Sequence, residues 1–199
     1  SLKIVVITSE DDTIKVQNLI SISQNLAGTD NPNAIYYGSR ARNLAEDLNY
    51  TAGKAKALKY IGIGYYMQSD YVQTVKYWEE SLEAYKEIGD KGGEANILSN
   101  LGALNTDEGD ETKGLSYFLQ ALPIAEEIND TLRLGTVLLN IGFIYSKKQE
   151  TYRNAFDYYS QALPLFDSIN YQEGIGTVTG NIGDLFFLQG NYDSALIYL

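Results

Sequence analysis

Gly93-Glu-Ala-Asn-Ile-Leu-Ser-Asn-Leu-Gly102-Ala-Leu-Asn-Thr-Asp-Glu-Gly109-Asp110 runs straight into Glu111-Thr-Lys-Gly-Leu-Ser-Tyr-Phe118-Leu-Gln-Ala-Leu-Pro123-Ile-Ala-Glu-Glu-Ile-Asn-Asp130. Apolar residues fall at Ala95, Leu98, Leu101 and Leu104, then at Leu115, Phe118, Leu122, Ala125 and Ile128. They stand three or four apart, the period of two amphipathic helices. Between the two lies one tight turn. Gly109 supplies the positive φ that stops the first helix, and Asp110 and Glu111 suit the start of the second, where unpaired N–H groups and the helix dipole favour negative charge.

The unit recurs. Gly102 has counterparts at Gly62, Gly142 and Gly183, in steps of 40, 40 and 41 residues, and the extra residue falls in the turn around Lys147 to Thr151. The second helices repeat as Ser81-Leu82, Ala121-Leu122 and Ala162-Leu163, followed by Ile88, Ile128 and Ile169 and then by a stop. Glycine inside a helix costs about 1 kcal/mol relative to alanine. Four at a fixed spacing therefore imply close helix crossings, with aromatic side chains filling the wider space between repeats. In Leu122-Pro123 and Leu163-Pro164 a proline interrupts the second helix, yet the apolar stripe continues through Ala125, Ile128, Leu165, Phe166 and Ile169. The expected result is a bent helix, not two short ones.

These residues resemble the tetratricopeptide repeat (TPR) family in its long form of about forty residues per repeat. The pattern is met by Ile61, Gly62, Tyr65, Asp70, Tyr71, Trp78 and Leu82, then by Leu101, Gly102, Gly109, Asp110, Phe118, Ala121 and Leu122. It returns in Ile141, Gly142, Tyr145, Ala155, Tyr159, Ala162 and Leu163, and in Ile182, Gly183, Phe186, Gly190, Tyr192 and Ala195. Thr74 and Gly114 stand where the family has alanine, and both are small enough for close contact. The resemblance implies an all-α fold, a right-handed α-solenoid of antiparallel helix pairs. The expected organisation is a linker over 1–10 and a solenoid over 11–199: a degenerate repeat at 11–50, repeats at 51–90, 91–130 and 131–171, and a partial one at 172–199. In the first repeat Asp11 or Asp12 caps a helix that Gly28 stops, Asn31-Pro32-Asn33 opens the next, and Ile22 occupies the glycine position.

Composition narrows the chemistry. Lys and Arg number 15 against 26 Asp and Glu, giving a net charge of −11 and a pI near 4.4. No basic run exists to bind nucleic acid or an anionic membrane surface. The run Ile4 to Ile7 is far too short to span a bilayer. With no Cys and no His, thiolate chemistry, the usual zinc sites and His-based acid–base catalysis are excluded. Asp107, Glu108, Asp110 and Glu111 lack the spacing of a calcium loop and read as a solvated turn. Glu79-Glu80 and Glu126-Glu127 are helix neighbours that point about 100° apart and cannot share a proton. We therefore expect no metal, no cofactor and no catalytic site.

What remains is a surface. In the family resembled, first helices line a concave face that binds an extended peptide or a partner's helix. Carried onto this chain, that face holds Lys56, Lys59, Tyr60, Ile63 and Tyr66, then Asn96 and Asn100, then Thr136, Asn140 and Phe143, then Asn181 and Asp184. The amides of Asn100, Asn140 and Asn181 could read a ligand's backbone, since each both donates and accepts, or could join helix to helix. Repeats of this length are similar to regions beside bacterial histidine kinases, nucleotide cyclases and response regulators. That similarity implies a sensing or docking module of a larger signalling protein, the alternative being a self-assembling scaffold. A further expectation is an apolar C-terminal edge including Leu185, Phe186, Leu196 and Leu199, sticky enough for self-association, in a chain that continues past Leu199.

Overall fold

The computed structural model describes residues 12–198, so the expectations for the 1–10 linker, for Asp11 and for Leu199 lie outside the described residues. Among the described residues there are ten α-helices and no strand. They are α1 (Thr13–Leu26), α2 (Asn31–Asp47), α3 (Thr51–Tyr66), α4 (Tyr71–Glu87), α5 (Lys91–Asp107), α6 (Glu111–Glu127), α7 (Thr131–Tyr145), α8 (Tyr152–Ser168), α9 (Gln172–Leu188) and α10 (Tyr192–Tyr198). The fold is the expected all-α solenoid of helix pairs. The described residues divide into two compact units, with the division between Ile97 and Leu98 in α5.

The helices are cut to length by a turn in which one residue serves two helices. Asp70 donates its N–H to the Tyr65 carbonyl, five residues back, closing α3. Its carboxylate then accepts from the Gln73 N–H at 3.1 Å, opening α4. Asp110 does the same between Asn105 and Lys113, and Asp130 between Ala125 and Arg133. Each such closure needs a left-handed residue just before it. Ser69, Gly109 and Asn129 supply it, with φ of 59°, 87° and 54°. The turn from α7 to α8 differs. There the extra residue is absorbed in a 3-10 turn, Gln149–Thr151, and the Thr151 hydroxyl donates to the Tyr145 carbonyl at 2.6 Å.

Antiparallel packing within a pair is visible in the hydrogen bonds that cross it. Trp78 Nε1 donates to the Lys59 carbonyl at 3.2 Å, and one turn later Ser81 Oγ donates to that of Ala55 at 2.8 Å, so α4 ascends as α3 descends. The glycines sit at the crossings. A Cβ on Gly62 would run into the Trp78 indole, one on Gly102 would lie 2.8 Å from Phe118 Cε1, and one on Gly142 would lie 2.6 Å from Tyr159 Cε1. Gly114 is tighter still, because a Cβ there would strike the Thr106 hydroxyl and approach the Gly102 carbonyl to 3.0 Å. Stacked tyrosines close the outer end of two pairs, Tyr65 on Tyr77 at 5.4 Å and Tyr145 on Tyr158 at 5.6 Å.

The degenerate first repeat exchanges large for small. Ile22 is buried where later repeats have glycine, and Gly38 stands where they have Trp78, Phe118 and Tyr159. A Cβ on Gly38 would lie 2.8 Å from Ile61 Cγ1 and 3.1 Å from Ser23 Oγ. The buried Ser23 hydroxyl donates to the Ala34 carbonyl at 2.7 Å. Pro123 and Pro164 both lie inside helices, α6 and α8, which run on past them as the apolar stripe required.

Candidate functional site

The predicted stripe is carried by the first helix of each pair. In the first unit α3 presents an exposed Lys56 and a half-buried Lys59, whose ammonium lies 5.2 Å from the centre of the Tyr60 ring. Tyr60 itself is only 9% exposed and belongs to the core with Val16, Leu19 and Ala57, and Ile63 packs against that core. Burial pushes the Tyr60 hydroxyl above its ordinary pKa. Tyr66 is half-buried and stacks on Trp78 at 5.8 Å. Asn96, near the start of α5, is half-buried, and its Oδ1 is buried without a hydrogen-bond partner.

In the second unit Asn100, Asn140 and Asn181 are all half-buried, and Asp184 is exposed. The Thr136 hydroxyl bonds back to the Leu132 carbonyl at 2.8 Å, leaving its oxygen lone pairs as the outward function. Phe143 is 40% exposed, with the Lys147 ammonium 4.0 Å from its ring centre, close enough for a cation–π contact. Beneath the far end of the stripe, on α8, lies Tyr159, fully buried, whose hydroxyl has no hydrogen-bond partner. Burial raises its pKa. Hydrogen-bonding groups of Ser146 and Asn181 near the hydroxyl offset part of that shift, and the Asp184 charge reinforces it. Sequence reading placed Tyr159 only as a packing aromatic. The available signal was the change from Phe118 to Tyr159 at one repeat position, since a core that accepts phenyl has no packing need for a hydroxyl.

Hollows lie elsewhere. One of about 1130 Å³ runs along the outer side of α4 between Lys54, Lys76, Glu79 and Glu83, open to solvent and mixed in charge. Another, about 290 Å³, is formed by Tyr152 and Phe156 of α8 with Leu185 and Phe186 of α9, flanked by the Arg153–Asp157 ion pair at 3.5 Å. At the C-terminal edge Leu185 is buried and Phe186 is half-buried, stacked on Tyr198. Leu196 and Ile197 are 77% and 81% exposed. Around Gly109 the Asp110 carboxylate is engaged as a helix cap, and among the described residues no group of three metal-ligating side chains is gathered. None of the described helices is long and apolar enough to cross a membrane.

Repeated helix pairs with glycines at their crossings define a helical-repeat protein. The tetratricopeptide repeat family profile matches residues 53–127 and 133–199, and the chain belongs to that family. No curated protein sequence matches it significantly. Among solved structures it is similar to a signal transduction ATPase with numerous domains (STAND) that carries a TPR sensor, from Pyrococcus horikoshii. The TM-score is 0.86 at 17% identity, over 99% of this chain and 31% of that one. It is similar also to BtubC from P. vanneervenii, with TM-score 0.85 at 15% identity over 100% of this chain and 84% of that one. A Rap protein complexed with Competence and Sporulation Factor gives TM-score 0.69 at 15% identity, over 96% of this chain and 63% of that one. This chain thus spans under a third of the STAND protein's length.

Proposed function

We propose that this chain is a protein- or peptide-binding TPR module, the docking or sensing part of a larger signalling protein, and that it binds through the first-helix stripe. One observation carries the reading. Buried side-chain polar atoms without a partner are rare in native proteins and call for an explanation. Among the described residues the two such atoms are Asn96 Oδ1, on a first helix in the first unit, and Tyr159 Oη, in the core of the second. The half-buried Asn96, with an acceptor left unpaired, is a group that a ligand's backbone N–H would satisfy. A TPR sensor in the STAND protein and a bound factor in the Rap protein are compatible with this use of the fold. Lys56 and Lys59 suit an acidic group on the ligand, against the negative balance of the chain.

Affinity selection from a random decapeptide library tests the reading. Selected peptides should lose about tenfold or more in affinity, measured by fluorescence anisotropy, when Asn100, Asn140 and Asn181 are changed to Ala together. Equal binding to the triple variant would place the site elsewhere. A second reading, self-assembly, draws on the exposure of Leu196 and Ile197. Sedimentation that is concentration-dependent for the native chain and monomeric for Leu196→Ser with Ile197→Ser would support it, and a native chain that stays monomeric would remove it.

A further inference from the structure

We propose that the hollow between α1 and α2 binds a small organic monocarboxylate, with the Arg40 guanidinium and the Asn43 amide as its donors. The site lies apart from the first-helix stripe and does not depend on it.

The hollow measures about 230 Å³ and is lined by Lys15 and Leu19 of α1 with Arg40, Asn43, Leu44 and Asp47 of α2. The four α2 residues follow one another at three- or four-residue spacing, so they form one row along the helix. At about 30 Å³ per water molecule the hollow holds the equivalent of roughly eight waters, too little for a drug-sized ligand and enough for a short-chain acid.

The arginines here break the pattern of the chain. Acidic residues outnumber basic ones by 26 to 15, and four of the basic ones are arginines. Arg133 and Arg153 are ion-paired, with Asp130 at 3.1 Å and with Asp157 at 3.5 Å. Among the described residues Arg40 and Arg42 have no carboxylate partner, and both are half-buried. A guanidinium drawn partly out of water without an acceptor in return carries a desolvation cost. Arg40 Cζ lies 5.8 Å from the centre of the Tyr36 ring, a contact that holds the cation in place but supplies no hydrogen-bond acceptor.

Arg42 orients its neighbour. Its Nε and Nη2 donate to Asn43 Oδ1 at 3.1 and 2.8 Å. A guanidinium only donates, so the atom it holds must be the amide oxygen, and the N–H₂ of Asn43 is turned away from Arg42. Asn43 lines the hollow and Arg42 does not, so that N–H₂ is the donor offered there. Arg40 and Asn43, one helical turn apart, thus present donors alone, the complement of an anion. A planar carboxylate matches the guanidinium fork, and Leu19 and Leu44 give its aliphatic stem an apolar wall. Asp47, exposed at the end of the row, disfavours a second negative charge. One carboxylate is therefore favoured over two, and over phosphate.

The test is a titration of the whole chain with butyrate at constant ionic strength, followed by NMR at the arginine Nε–H and asparagine N–H₂ signals. Butyrate should give saturable shifts at Arg40 and Asn43 and bind at least about threefold more tightly than succinate or inorganic phosphate. Arg40→Gln should weaken it about tenfold, and Asn43→Ala, at an exposed position that disturbs the fold least, about three- to fivefold. Arg42→Gln should weaken it too, and adding Asn43→Ala to Arg42→Gln should have no further effect, a non-additivity that separates orientation from charge alone. Asp47→Asn should narrow the gap between butyrate and succinate. Shifts that rise without saturating, or affinity retained in both Arg40→Gln and Asn43→Ala, overturn the site. Phosphate bound as tightly as butyrate overturns the carboxylate assignment.

Discussion

The α3–α4 and α7–α8 pairs are built on one plan and differ in their polar details. Both cross at a glycine under a large ring, Gly62 beneath Trp78 and Gly142 beneath Tyr159, and both carry a stacked tyrosine pair with planes within 8° of parallel. In the first pair the buried indole and serine are paired, Trp78 donating to Lys59 and Ser81 to Ala55, and Asp70 closes one helix while opening the next. In the second pair the serine is replaced by Ala162, Asp70 by a 3-10 turn without a capping side chain, and the paired indole N–H by an unpaired hydroxyl. Apolar packing is copied from repeat to repeat because shape complementarity fixes it. Polar groups are free to depart from the plan, so a departure that leaves one unpaired points to a use outside the fold.

The largest expected effect breaks the shared part of the plan. Gly62→Val and Gly142→Val should each destabilise by about 3 kcal/mol, at the upper end for overpacking, because the ring in the way is buried and held on all sides. Urea midpoints show this directly. If Gly142→Val proves harmless while Gly62→Val does not, the Tyr159 ring can swing aside and the two crossings are not equivalent.

Much of this plan was legible in the sequence. The glycine spacing, the stops at Gly28 and Gly109, the cap at Asp110 and the insertion before Ala155 all act through neighbours a few residues away or through strict repetition. The first repeat resisted because its small and large positions are exchanged: Ile22 is buried at the glycine position, and Gly38, at the aromatic position, faces Ile61 and Ser23, so comparing like positions reports only that the glycine is missing. On the stripe, Tyr60 and Ile63 were grouped with the ligand face because they share a helix side with Lys56 and Lys59, yet a helix with eight buried positions leaves little outward surface and draws both toward the core. The change from Phe118 to Tyr159 marked the hydroxyl, but that it and Asn96 Oδ1 lack partners was out of reach, because whether a polar group is satisfied depends on partners brought in by other helices.

A smaller effect sharpens the comparison through alkaline pH. Tyr85 in α4 is 6% exposed, and its hydroxyl is pushed up to about 12, chiefly by burial, then by the charge of Asp90 and by Tyr60. The fold favours its neutral form, so its stabilising contribution is fully present below the unfolded value near 10 and is lost as pH rises through about 12. Between those limits the native protein should lose about 2 kcal/mol through this residue, besides what other buried tyrosines add. Tyr85→Phe should flatten the fall of the urea midpoint over that window. Tyr159→Phe should flatten it less, since Ser146 and Asn181 offset part of the burial there. A steeper slope in Tyr85→Phe than in the native chain would contradict the assigned cause.

The smallest effect concerns the serine that distinguishes the two pairs. Ser81 is fully buried, and its hydroxyl donates to the Ala55 carbonyl across the α3–α4 crossing, a contact that Ala121 and Ala162 cannot make at the same position. Replacing it with alanine removes a donor and leaves an acceptor that retains a bond inside its own helix. No unpaired buried group is created, so the cost should stay near the net worth of one hydrogen bond, about 1 kcal/mol. The reverse change, Ala162→Ser, should cost no more if the matching carbonyl, that of Gly135, lies equally close in the α7–α8 pair. Urea midpoints of the two variants settle whether the crossings share one backbone geometry. A small loss in Ser81→Ala alongside a loss of several kcal/mol in Ala162→Ser would mean that the second pair packs too closely, or at too different an angle, to accept the hydroxyl that the first pair uses.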